Sequence, residues 1–131
     1  MYFCLMTKDL TEIRGTLAAL FQRHESLFKI TDNGSNIEAH GTVEAMQGKK
    51  KVHGFYFASI VPKPKDVRFY FFPIYTHANE ISPLLNDELK KALKGKSCFH
   101  IKSLSEESVA RLEEMTDTAV ALYQQNKWLA E

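Results

Sequence analysis

The run from Lys50 to Tyr75, KKVHGFYFASIVPKPKDVRFYFFPIY, constrains the fold more than any other part of the chain. It holds two stretches dense in β-branched and aromatic residues, 52–61 and 67–74, separated by the turn sequence PKPKD. Such residues suit a pleated, half-buried surface. Pro62 and Pro64 cannot donate to a ladder and belong at a strand end. Side chains alternate between the two faces of a strand. Val52, Gly54, Tyr56, Ala58 and Ile60 are therefore expected on one face, with His53, Phe55, Phe57, Ser59 and Val61 on the other. In the second strand Val67, Phe69 and Phe71 oppose Arg68, Tyr70, Phe72 and Ile74. Both strands are apolar on both faces, whereas a sheet open to water on one side alternates cleanly. The pattern predicts central strands with a layer over each face: helices on one, and a ligand, a partner chain or the C-terminal segment on the other. Ordinary core packing is the competing reading of the same residues.

The flanking sequence supplies the other elements. Leu10, Ile13, Leu17, Leu20 and His24 form one stripe at helical spacing, which predicts a helix over 7–27 capped by Thr7 or Thr11. Gly15 inside it costs about 1 kcal/mol against Ala and is expected to allow close packing on the sheet. The cluster DNGSN at 32–36 reads as a turn. From Ile37 to Ala45 the period changes to two, the signature of a half-exposed strand, and Gln47-Gly48 supplies a hairpin turn into the central strands. Residues 76–81 read as irregular. A second helix is expected from Ser82 as cap and Pro83 in first position to Gly95. A short strand follows at 97–102, and a last helix is capped by Ser105, with Val109, Leu112, Thr116, Ala119, Val120 and Tyr123 as its buried stripe. Trp128 is expected to fray or to fold back onto the sheet. The resulting order, α-β-β-β-α-β-α, predicts a single α+β domain with an antiparallel sheet of about four strands and helices mainly on one face.

Most chemical motifs fail on context. Gly95-Lys96-Ser97 copies the end of a phosphate-binding loop, but it follows a helix and opens a strand, and position 90 is Lys rather than Gly. The five histidines, His24, His40, His53, His77 and His100, contain no i,i+4 pair of the helical zinc type. Cys98 and His100 share a strand face, yet no third group completes a nucleophile, and Cys98 is expected to be buried and inert. The turn lysines, among them Lys49, Lys63 and Lys94, make no single stripe. No nucleophile–base constellation can be named, so the chain is expected to be non-enzymatic. A formal net charge of +1 gives no basic excess for nucleic acid. The two cysteines, Cys4 and Cys98, make no framework and are read as reduced thiols, which predicts a cytoplasmic protein. The opening MYFCLM does not fit a secretory signal, and no run suits a membrane span.

The run VHGFYFASIV…VRFYFFPIY, followed by ELKKALKGKSCFHI and a closing helix, resembles the YdhG-like family of small bacterial domains. Phe55-Tyr56-Phe57-Ala58 matches its first strand core, Phe71-Phe72-Pro73 the aromatic-aromatic-proline ending its second, and Gly95-Lys96-Ser97-Cys98-Phe99 its Lys/Gly-led strand. The resemblance spans about 37–123. The family's "isYGMPaF" element would fall on 37–45, where Ile37 and Gly41 match and the proline and aromatics are missing. The family is similar in outline to frataxin, and one branch is described as an intracellular iron chaperone. That implies a role for exposed carboxylates, here Asp9, Glu12, Glu25, Glu38 and Glu44, interspersed with Lys8, Arg14 and Arg23.

Two functional expectations follow. The first is binding of a small apolar ligand or a protein partner, a second copy of the chain included, through an aromatic sheet face. Phe55, Tyr56, Phe57, Tyr70 and Phe72 would line it, with Arg68 as polar anchor. The second, implied by the resemblance, is iron carriage by Glu38, His40 and Glu44.

Overall fold

A computed structural model describes residues 6–131; Cys4 lies outside them. In chain order the elements are β1 (Met6–Thr7), α1 (Leu10–Gln22), β2 (Lys29–Asp32), β3 (Ile37–His40), β4 (Glu44–Gln47), β5 (Lys50–His53), β6 (Tyr56–Pro62) and β7 (Val67–Phe71). They continue as α2 (Pro73–Thr76), α3 (Ala78–Ile81), α4 (Asp87–Ala92), β8 (Leu93–Lys94), β9 (Cys98–Ile101), β10 (Leu104–Ser105) and α5 (Glu106–Gln125). The main sheet has six antiparallel strands in the order β2-β3-β6-β7-β9-β8. The chain is thus α+β, and the aromatic strands β6 and β7 are its central pair. The sheet is larger than the four strands expected because it gains β2 and β8, which carry too few residues to show a period of two; β1 and β10 pair separately.

Glycines set where the sheet stops. The expected strand over 37–45 breaks at Gly41, and its partner breaks at Gly54, so β4 and β5 form a separate two-stranded ribbon. Gly54 has φ +103°, and a Cβ there would lie 2.5 Å from the Gly41 carbonyl oxygen. Gly41 in turn faces the Trp128 carbonyl oxygen, 2.7 Å from where its own Cβ would be. Only glycine tolerates both the positive φ and this approach. The ribbon turn falls at Gly48-Lys49, one position beyond the expected Gln47-Gly48, because Gln47 still pairs with Lys50.

The helices differ in extent from the expectation. Asp9, not Thr7 or Thr11, caps α1, accepting from the backbone N–H of Thr11 and Glu12 at 2.9 and 3.2 Å. Helix α1 ends at Gln22, ahead of a 3-10 turn at Glu25–Leu27. Gly15 is exposed, with nothing within 4 Å of a Cβ, so it makes no close contact with the sheet. The helix expected from Ser82 begins instead after Asn86, whose side chain accepts from Leu89 N–H at 2.9 Å. Ser82–Leu84 forms a 3-10 turn and Leu85 is extended. Residues 76–81 are mostly helical rather than irregular. Ser105 caps α5 as expected, and the predicted stripe is buried from Leu112 to Tyr123.

The core lies between one sheet face and the helices. Ile37, Ala39, Ala58, Ile60, Val67, Phe69, Phe71, Phe99 and Ile101 meet Ile13, Leu17, Leu20 and Phe21 of α1 and Leu112, Met115 and Val120 of α5. Rings interlock there: Phe21 lies 6.4 Å from Phe69, and Tyr123 stands edge-on to Phe57 at 5.5 Å. The C-terminal segment folds back, with Trp128 stacked on Phe55 at 4.1 Å and 3°. Tyr123 closes this corner, its hydroxyl 2.9 Å from Thr76 Oγ1, while His77 Nε2 meets Asn126 Oδ1 at 2.8 Å. Among the described residues no helix is long and apolar enough to cross a membrane.

Candidate functional site

The sheet face turned away from α1 carries the candidate site, and strand register fixes its composition. One row crosses the strands as Thr31, Glu38, Ser59, Tyr70, Cys98 and Lys94. Beside it run Val61, Arg68 and His100. On the other side lie Lys29, His40 and Tyr56. Burial follows the alternation along β7: Val67, Phe69 and Phe71 are buried, whereas Arg68 and Tyr70 are half-exposed. In β9, Phe99 and Ile101 are buried, and Cys98 and His100 half-exposed.

A β-bulge decides which aromatics reach this face. Between Ala39 and His40 the register to β6 slips, so that His40 faces Tyr56 while Ala39 faces Ala58. Phe57 is the extra residue. Tyr56 and Ser59 therefore share the open face, with the phenol oxygen 2.6 Å from Ser59 Oγ. Phe57 and Ala58 both point into the core. This corrects the expected face assignment, which grouped Tyr56 with Ala58 and Ile60. It also removes two expected site residues. Phe57 is fully buried against Phe28, Phe71 and Tyr123. Phe55 is 3% exposed beneath Trp128. Both are core, the competing reading of the aromatic run.

Tyr56, Tyr70, Phe72 and Arg68 do come together. A ridge of rings runs from His40 to Tyr56 (5.4 Å), Phe72 (5.6 Å) and Tyr75 (5.6 Å). Tyr75 is 52% exposed, and Lys96 Nζ sits 5.4 Å from its ring centroid, a cation–π contact. Sequence reasoning missed Tyr75 and Lys96, which lie outside both strands. Arg68 donates Nε–H to the buried Asp66 at 3.0 Å, which fixes the guanidinium at the edge of the face.

Burial raises two titratable groups of this face. Burial pushes the Cys98 thiol above its ordinary value, with the Tyr70 hydrogen bond and Arg68 only partly offsetting it. A protonated thiol is a poor nucleophile at neutral pH. Cys98 is half-exposed, not buried as expected. Burial also pushes the Tyr56 phenol up to about 12.

The metal candidates do not converge. His40 Nε2 and Glu38 Oε1 are 4.0 Å apart on β3, but Glu44 lies on the ribbon, ion-paired with Lys51 at 3.2 Å. His53 is exposed on the ribbon opposite Glu44, and His100 lies on β9, with β6 and β7 between it and β3. Among the described residues no three His, Cys, Asp or Glu side chains are grouped to hold a metal ion.

Comparison with protein-family models, with curated proteins and with solved structures returned no match. Four residues of the candidate face and its rim share one end of the sheet. Tyr56 lies at the bulge, Phe72 at the start of α2, and Lys96 and Cys98 at the β8–β9 turn.

Proposed function

We propose that this chain is a non-enzymatic binding module of the YdhG-like type, working through the face made by Tyr56, Arg68, Tyr70, Phe72 and His100. One observation supports this above the others: Tyr56, Arg68, Tyr70 and His100 are half-exposed on three adjacent strands whose alternate residues form the core, and half-exposed Phe72 directly follows β7. A surface that mixes aromatic rings with cations is built for contact rather than for solvent alone. The face is a broad sheet surface rather than an enclosed cavity, so it suits an extended partner better than the small apolar ligand expected from sequence.

The test is a thermal-shift panel of metabolites, aromatic acids, oligonucleotides and acidic peptides, run on the wild type and on a Tyr70→Ala/Tyr75→Ala variant. A ligand at a hundred times its Kd stabilises by about 2.7 kcal/mol, which raises Tm by several degrees. The expected outcome is a shift with at least one class that the variant has lost. A shift of equal size in the variant would place binding elsewhere on the molecule.

A further inference from the structure

The small net charge hides an uneven distribution. Helix α5 carries Glu106, Glu107, Glu113, Glu114 and Asp117 against one cation, Arg111. The open face carries the opposite sign. Lys29 and Lys94 are exposed at the ends of its rows, Lys96 lies at the end of the ring ridge, and Arg68 lies between. Past β9 a surface depression adds Lys91 and Lys102 beside Lys94 and His100. Two carboxylates in that depression offset part of this charge. Asp66 holds Arg68, and Glu88 accepts from Ser105 N–H and Oγ–H at 3.1 and 2.8 Å and from the Ser108 hydroxyl. Glu38 is the acidic residue of the rows themselves.

We propose that this face binds single-stranded nucleic acid, with bases on Tyr70 and Tyr75, backed by Tyr56 and Phe72, and phosphates beside Lys94, Lys96 and Arg68. The inference rests on the reading of this face as the working surface. It explains why rings and cations are interleaved. Unpaired bases present flat faces to aromatic side chains, and the backbone needs positive charge within reach. A duplex keeps its base faces stacked internally and gives Tyr75 nothing to stack on. A second copy docked by the same face would set Lys94, Lys96 and Arg68 against like charges, and an acidic helix such as α5 complements the cations but brings no flat faces for the rings. The occupant that complements both the rings and the charge is a strand with exposed bases and an anionic backbone.

Fluorescence anisotropy with labelled single-stranded RNA and DNA of about twelve nucleotides, and with a matched duplex, tests this. Single strands are expected to bind more tightly than duplex. The slope of log K against log salt should be about −2 for roughly three phosphate contacts. Tyr75→Ala and Tyr70→Ala should each weaken binding about five- to a hundredfold. Lys94→Ala and Lys96→Ala should each flatten the slope by about 0.7. Circular dichroism and Tm of each variant confirm that it is folded. Absence of saturable binding at low salt, or duplex bound as tightly as single strand, overturns the proposal. If oligonucleotides fail while the tyrosine variants still abolish the response to an acidic peptide, or abolish self-association in sedimentation, the nucleic-acid inference falls and the binding-face reading stands. Oligonucleotide binding untouched by all four substitutions overturns both.

Discussion

The two faces of β7 are made by one five-residue strand, yet they obey different rules. Val67, Phe69 and Phe71 have less than 2% of their surface exposed, and each touches a core closed by α1. Arg68 and Tyr70, one residue away, stay in partial contact with water. On the covered side aromatics are hydrophobic volume, and exclusion of water is the whole of their role. On the open side they keep a polar end: Tyr56 shares a hydrogen bond with Ser59, and Tyr70 lies across from Cys98. An aromatic residue in a strand is thus not evidence for core until its hydroxyl is considered.

The sharpest way to break this comparison is to truncate one residue on each face. Phe69→Ala should destabilise the fold by about 3–5 kcal/mol, the cost of a cavity left by a buried aromatic ring. Tyr70→Ala should stay within roughly 1 kcal/mol, as surface substitutions do. Urea denaturation midpoints measure both, and equal losses would mean that the second face is covered as well.

Next in size comes a pair of glycines that separates backbone from packing. Gly54→Ala forces a side chain into a positive φ and against the Gly41 carbonyl, and should cost more than about 1 kcal/mol. Gly15→Ala, exposed in mid-helix with open space around it, should stabilise by up to about 1 kcal/mol. Thermal melts of the two variants should move in opposite directions. A Gly54→Ala protein as stable as wild type would remove the reason for the split between sheet and ribbon.

These contrasts also show what the sequence could reveal. The central strands, the Gly48 turn and the Ser105 cap follow from local patterns, because each is dictated by residues within a few positions, whereas the return of Trp128, left open between fraying and folding back, is settled by its distant partner Phe55. The error about Phe57 came from a bulge. A single added residue reverses every face assignment N-terminal to it, and only its pairing with β3 discloses it. The bulge had one local sign, Gly54 three residues before Phe57, since an isolated glycine in a strand pattern can mark such a defect. Strand β2 was invisible because KITD has one apolar residue and pairs only by virtue of the following turn, where Asp32 and Asn33 side chains accept backbone N–H groups. Of the site, Tyr56, Tyr70, Phe72 and Arg68 were legible. Tyr75 and Lys96 were not, because they meet only when α2 and the β8–β9 turn fold to the same end of the sheet.

A smaller effect concerns the helix layer. Asp117 accepts from Arg23 Nη2 at 2.6 Å and bonds His24 Nε2 at 2.7 Å, tying α5 to the end of α1. The Arg23 hydrogen bond, joined by that of His24, holds its carboxyl below the ordinary 3.8 despite an opposing effect of burial. A depressed folded value means that the stabilisation is present above 3.8 and is lost as pH falls through the folded value. Asp117→Asn should therefore flatten the acid limb of the stability profile without altering the open face. The change is small, because the pair is solvent-screened.

The last effect lies on the open face, is confined to alkaline pH and has the opposite sign. Tyr56 sits where the bulge hands the chain from one face to the other, and burial raises its phenol from 10.0 to about 12 against the lowering influence of Ser59. A raised folded value makes the neutral phenol's stabilisation complete below pH 10 and progressively lost as pH rises toward 12. Tyr56→Phe should thus reduce alkaline destabilisation and delete one late component from the ultraviolet titration of the tyrosines. A late component that survives the substitution belongs to Tyr123, which burial also raises, or to Tyr70, which Cys98 opposite it raises. A phenol at position 56 that ionised near 10 would mean that the ring is solvated, and that the ridge from His40 to Tyr75 stands proud of the sheet instead of lying against it. The two faces would then differ more than the register alone requires, and stacking on Tyr56 itself, not only on Tyr70 and Tyr75, would be open to a partner.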